Sequence, residues 1–115
     1  MPYEEQKLQM KFVEWLHKVG IWYFNHSPNE GRRTAQEGSK LKKMGMSKGF
    51  PDLEIPIPRH YKHGLYIEFK TEVGRVTPEQ QKWLDYLNGC GYVAVVARSF
   101  DEARKITQEY LKNER

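Results

Sequence analysis

The chain has 115 residues, 38% of them hydrophobic and 13% aromatic, with 19 Lys and Arg against 15 Asp and Glu for a net charge of +4; mean hydropathy is -0.83. That length suits one domain over 1–115 with a single core, and no apolar run approaches the roughly 20 residues that span a bilayer. The lone cysteine, Cys90, excludes an intramolecular disulfide framework, and with an acidic N-terminus lacking a signal-peptide pattern it points to an intracellular, reducing compartment.

From the N-terminus, Leu8, Phe12, Trp15, Leu16 and Val19 recur at helical spacing and predict a helix from about Tyr3 to Val19, stopped at Gly20. Ile21-Trp22-Tyr23-Phe24 reads as a short aromatic strand whose rings belong to the core. A turn-rich stretch, Asn25 to Gly31, follows. Residues 34–44 form a short basic helix that Gly38 weakens, and Gly45 and Gly49 bracket a tight loop leading to Asp52.

Two short strands come next, Leu53-Glu54-Ile55-Pro56-Ile57 and Leu65-Tyr66-Ile67-Glu68-Phe69-Lys70, joined by a polar loop. Pro56 and Pro58 end the first early or place it at an edge. Thr77-Pro78-Glu79-Gln80 is a helix start, with Thr77 as N-cap, Pro78 first and Gln80 at the capping-box position. Trp83, Leu84 and Leu87 supply its apolar face, and Gly89 and Gly91 end it, with Cys90 between them as a small packing residue. Tyr92 to Ala97 is nearly all apolar, as a strand covered on both faces would be. Ser99 caps a last helix to about Lys112. The fold class is α/β, a mixed sheet flanked by helices in the order α-β-β-β-α-β-α.

Chemistry concentrates in one pattern. Asp52 is separated by fifteen residues from Glu68-Phe69-Lys70. Strand alternation puts Glu68 and Lys70 on the face opposite Leu65, Ile67 and Phe69. Two carboxylates from neighbouring strands, with the Phe69 carbonyl as a third oxygen, suit a hard cation such as Mg2+, which keeps several waters and takes phosphate oxygens. Lys70 is then placed to orient a nucleophile or contact a phosphate. A cross-strand ion pair on a solvated face is the plain alternative, because D…E-x-K spacing recurs by chance. Upstream, Arg32, Arg33, Lys40, Lys42, Lys43 and Lys48 stand against a lone Glu37 and run straight into Pro51-Asp52, which favours a phosphate-binding surface over a merely solvated face.

Gly45-Met46-Ser47-Lys48-Gly49-Phe50-Pro51-Asp52-Leu53, Ile67-Glu68-Phe69-Lys70 and Gly74-Arg75-Val76-Thr77-Pro78-Glu79-Gln80 together resemble the VRR-NUC family, nucleases of the PD-(D/E)XK superfamily. The resemblance extends to Pro28-Asn29-Glu30-Gly31-Arg32-Arg33, to the first helix around Glu5 to Gln9, and to the strand and helix at the C-terminal end, so it covers nearly the whole chain. It implies a restriction-endonuclease-like sheet, and Mg2+ or Mn2+ held by Asp52 and Glu68 with Lys70 as catalytic lysine. It implies Gln80 as an active-site glutamine, a role that competes with the capping box for one side chain. It implies Glu5 as the first-helix acid near the metal, with Glu4 beside it; ordinary first-turn acidity is the alternative. Gln9 and Asn29 match polar positions too, Asn29 equally as a turn residue.

Stand-alone phage and bacterial members of this length are similar to structure-selective enzymes that act as homodimers on branched DNA such as Holliday junctions, and two-fold symmetry would present two sites to two strands. A catalytically silent nucleic-acid-binding module of the same fold and a partner-interaction domain with a coincidental motif are the alternatives. His17, His26, His60 and His63 have no zinc-ligand spacing with Cys90.

Overall fold

The helical spacing of Leu8, Phe12 and Leu16 yields α1 (Tyr3–Lys18) in a computed structural model that describes residues 3–27 and 34–112. Gly20, at φ +84, ends the helix. Its N–H donates to the His17 carbonyl at 3.1 Å while Ile21 N–H donates to the Leu16 carbonyl at 2.9 Å, so two of the helix's last carbonyls are satisfied within the turn.

The aromatic segment departs from expectation. Ile21-Trp22-Tyr23-Phe24 is not a strand; β1 is Asn25–His26. Ile21 and Phe24 lie against the core, whereas Trp22 and Tyr23 are 64% and 85% exposed. Burial recurs at the third residue and not the second, so the segment lacks the alternation of a strand and runs as a loop into β1. Trp22 stacks instead on His17, ring centroids 4.4 Å apart.

The remaining elements follow the local signals. Thr34 caps α2 (Ala35–Lys43), its hydroxyl accepting from Glu37 N–H at 3.0 Å. Then come β2 (Leu53–Ile55), stopping before Pro56, and β3 (Leu65–Phe69). α3 (Pro78–Gly89) starts in a complete capping box, and β4 (Val93–Ala97) and the Ser99-capped α4 (Phe100–Leu111) complete the order. Cys90 is exposed at the C-terminal cap of α3, so it is not the packing residue expected.

The sheet runs β1-β2-β3-β4. β1 and β2 are antiparallel, as are β2 and β3, with Leu53 opposite Ile67. β3 and β4 are parallel across α3, with Phe69 opposite Ala97. One face carries Leu65, Ile67 and Phe69 against Phe12 and Leu16 of α1 and Ala103 and Tyr110 of α4. The other carries Tyr66 against Leu84, Leu87 and Ala94, with Phe50 and Trp83 at the margin. Both faces of β3 are therefore covered. Each fully buried Phe, Leu or Ile contributes about 1.5–3 kcal/mol before entropy. Among the described residues no helix is long and apolar enough to cross a membrane.

Candidate active site

Asp52 stands at the mouth of β2, where the loop after α2 enters the sheet. The loop is held against α3: at Gly49, φ +88, an added Cβ would lie 2.7 Å from the Glu79 carbonyl carbon and 2.8 Å from Gln80 N. Only glycine permits that approach, which seats the loop on the turn that carries Gln80. Pro51 is fully buried. Asp52 is then pinned twice. Its carbonyl accepts from Ser27 N–H at 2.8 Å, and its Oδ2 accepts from Phe69 N–H at 2.7 Å.

That second bond follows from strand geometry. Lys70 N–H donates to the Ala97 carbonyl of β4 at 3.0 Å. Alternate residues of a strand turn their backbone groups to opposite edges, so Phe69 faces β2. β2 ends at Leu53, opposite Ile67, so the next partner on that edge is the Asp52 side chain. The Phe69 carbonyl shares this edge.

Glu68 and Lys70 share the other face of β3 and are 2% and 7% exposed. An ion pair on a solvated face is thereby excluded. Lys70 Nζ lies 3.8 Å from Glu68 Oε2. Gln80 Nε2 donates to the same Oε2 at 3.1 Å, while Gln80 Oε1 accepts from Thr77 N–H at 2.9 Å and Thr77 Oγ1 accepts from Gln80 N–H at 3.1 Å. The two roles expected to compete for Gln80 are thus divided between the ends of its amide. Its oxygen closes the capping box and its nitrogen holds Glu68.

Glu5 joins from α1. It is buried at 4% exposure, whereas Glu4 is exposed. An added Cβ at Gly74 would sit 3.2 Å from Glu5 Oε2, so the carboxylate lies against the loop between Lys70 and Thr77. Its charge raises the pKa of both Asp52 and Glu68. First-turn acidity alone needs no burial, so the helix dipole does not account for this placement.

The electrostatics are those of crowded carboxylates. Burial raises Asp52 above the ordinary aspartate value, with the Glu5 charge adding and the Phe69 N–H and Lys70 opposing. Burial also pushes Glu68 up, to about 9, and the neighbouring Asp52 charge adds while Lys70 opposes. One ammonium does not balance this negative charge, so without a further cation the pair favours keeping a proton. The donors are all oxygens, which suits Mg2+ or Mn2+ over softer ions. Among the described residues no set of three or more His, Cys, Asp or Glu forms a ready-made metal cage. Asp52, Glu68 and the Phe69 carbonyl are the oxygen donors that would hold such an ion.

The basic residues are arranged differently. Lys40, Lys42 and Lys43 are exposed on α2 and Lys48 is exposed in the following loop. Arg32, Arg33 and Asn29 lie outside the described residues. Sequence reasoning missed Arg98. Its Nη1 donates to the carbonyls of Thr71 and Gly74 at 2.8 and 2.7 Å, clamping the turn on which Glu5 rests. The available signal was its place one residue after Ala97, the β4 partner of Phe69.

The sequence profile of the VRR-NUC domain family matches residues 3–101, a span that holds all five site side chains. A solved structure described as a VRR-NUC domain protein superposes with a TM-score of 0.85 at 33% identity, covering 97% of this chain and 91% of that one. No curated protein matches the chain.

Proposed function

Because this chain belongs to the VRR-NUC domain family, a nuclease domain of the PD-(D/E)XK type with a restriction-endonuclease-like fold, we propose that it is a Mg2+- or Mn2+-dependent endodeoxyribonuclease that hydrolyses phosphodiesters in branched DNA such as Holliday junctions, working as a homodimer. The observation that carries the reading is the meeting of Asp52, Glu68, Lys70 and Gln80 at one end of the sheet, with Glu68 buried, Asp52 half-buried, and the pair short of positive charge.

When bound, the divalent ion offsets charge at the phosphate and acidifies a water. The chain's own groups do the rest. Phe69 N–H fixes the Asp52 carboxylate, and Gln80 Nε2 fixes that of Glu68. Lys70 supplies a buried ammonium beside Glu68, in place to orient the attacking water or neutralise a phosphate oxygen. Glu5 adds a third carboxylate, close enough to bias the proton affinity of the other two. Phe50 and Val76 pack against Tyr66 on the sheet face that Glu68 shares. Arg32, Arg33, Lys40, Lys42, Lys43 and Lys48 serve the DNA backbone. The preference for branched DNA and the two-fold assembly rest on the likeness to stand-alone members of this length, and on the need of junction resolution for two symmetric sites.

The test is a cleavage assay on single-stranded, duplex, flap and four-way-junction DNA with Mg2+, Mn2+ or chelator, beside sedimentation of the protein alone. Metal-dependent nicking strongest on the junction, by a dimer, is expected. DNA bound but never cut under any metal would return the silent-module reading.

A further inference from the structure

α2 is thinly tied to the rest of the described structure, with only Gly38 and Leu41 half-buried. Among the described residues it packs against no other helix or strand, and none of its side chains is buried. A nine-residue helix without tertiary packing is marginal in water. This one also carries Gly38 at its middle, among the weakest helix formers. Lys40 and Lys43 are three residues apart on one surface, so their charges repel. Local bonds are what hold it: the Thr34 hydroxyl at the start, and Met44 and Met46 N–H donating to the Lys40 and Leu41 carbonyls, each at 3.0 Å, at the end.

Charge and tether act in the other direction. From Gly38 to Pro51 the chain holds four lysines and no carboxylate. The end of this segment is anchored in the site, by Gly49 against α3 and by Asp52 against Phe69. The lysines are therefore leashed to the residues that face the scissile phosphate. Nine helical residues extend about 14 Å, the axial span of roughly four phosphates of one strand. A phosphate backbone removes the repulsion between the lysines. A second copy of this chain, at net charge +4 and with the same lysines, does not complement them.

We propose that α2 is a conditional arm: it grips the DNA backbone next to the cleaved phosphate, and its helical order depends on that DNA. The proposal rests on the nuclease reading above and adds that binding and folding of this segment are one event.

Gly38 gives a clean test, because an added Cβ there meets nothing within 4 Å. Binding of a fluorescent four-way junction is measured in chelator, which keeps the DNA intact, for the wild type, Gly38→Ala and Gly38→Pro. Amide hydrogen exchange is followed over 34–46 with and without the junction. Gly38→Ala should tighten binding up to about fivefold by pre-forming the helix, and Gly38→Pro should weaken it roughly tenfold or more. Tm should stay put in both, since α2 supports no core. Exchange over 38–43 should be fast alone and slow with DNA.

If wild type and both variants bind alike, the arm is overturned while the nuclease reading stands. Slow exchange without DNA, or exchange slowed by raising protein concentration alone, also overturns it, the latter in favour of a second copy as occupant. Absence of both DNA binding and metal-dependent cleavage would overturn both readings together.

Discussion

Ionisable side chains are handled in two opposite ways within about thirty residues of chain. At the end of β3, Glu68 and Lys70 are buried, and Glu68 is held by Lys70 just past the strand and by Gln80 of α3. On α2, Lys40, Lys42 and Lys43 stand in solvent on a helix that, among the described residues, packs on no other helix or strand. The buried set has its geometry fixed at the cost of desolvation, visible in the raised pKa of Glu68. The exposed set leaves its geometry to whatever it meets. On the proposed reading, a fixed centre beside an adaptable grip would suit alignment of one bond in DNA of varied shape.

Removing site groups should give the largest effects. Asp52→Ala, Glu68→Ala and Lys70→Ala are each expected to lower cleavage by roughly 10³-fold or more while the fold is retained. Calorimetric titration with Mn2+ should show weakened binding for the two carboxylate variants and little change for Lys70→Ala. Near-wild-type turnover in any one of them would remove that residue from the site.

pH should separate the regions next. The folded-state pKa of Glu68 lies above its ordinary value, at about 9. Its contribution to stability is therefore complete below about 4.5 and is lost as pH rises towards 9. In chelator, stability should fall across that window by at most about 1.4 kcal/mol per unit for one proton. Glu68→Gln, which cannot ionise, should flatten the slope. Mg2+ should flatten it in the wild type by replacing the proton. Urea titrations at several pH values measure this, and a slope unchanged in Glu68→Gln would mean that Glu68 is not the group responsible.

The same division explains what could be read from the sequence. Elements whose signals are local were legible. Thr77 to Gln80 announced a capping box, Ser99 a cap, and the period of two in Leu65, Ile67 and Phe69 one face of a strand. Asp52, Glu68 and Lys70 were legible as a set because strand alternation and a hairpin bring them together. What depends on distant packing was not. Trp22 and Tyr23 look like core strand residues, but both are exposed, Trp22 with its ring stacked on His17 of α1. The division of the Gln80 amide needed the distance from α3 to β3. The Arg98 clamp needed the register of β3 and β4.

Gln80→Glu sharpens the comparison inside one side chain. The new carboxylate keeps the acceptor for Thr77 N–H, so the capping box survives and Tm should move by a few degrees at most. It replaces the donor 3.1 Å from Glu68 Oε2 with a second negative oxygen. Cleavage should fall about 10- to 100-fold, and its dependence on metal concentration and pH should shift. Thr77→Ala is the converse, removing the cap for about 1 kcal/mol of stability while leaving the Gln80–Glu68 bond. Equal activity loss in the two variants would mean that Gln80 acts only through the helix.

The smallest expected effect is on stability at the arm. Lys42→Ala with Lys43→Ala removes two exposed charges from a helix outside the core, so unfolding free energy should change by no more than about 0.5 kcal/mol. The salt dependence of junction binding should change instead. Each phosphate that is no longer neutralised lowers the log-log slope by about 0.9 for duplex arms, so the pair should reduce it by roughly 1.8. Lys70→Ala provides the control. It removes one buried ammonium paired with Glu68, so Tm should fall and cleavage should be lost, while the slope should change by at most about 0.9, the share of a single phosphate. An unchanged slope in the α2 pair would make those lysines a solvated surface and leave the site as the whole of the DNA-binding face.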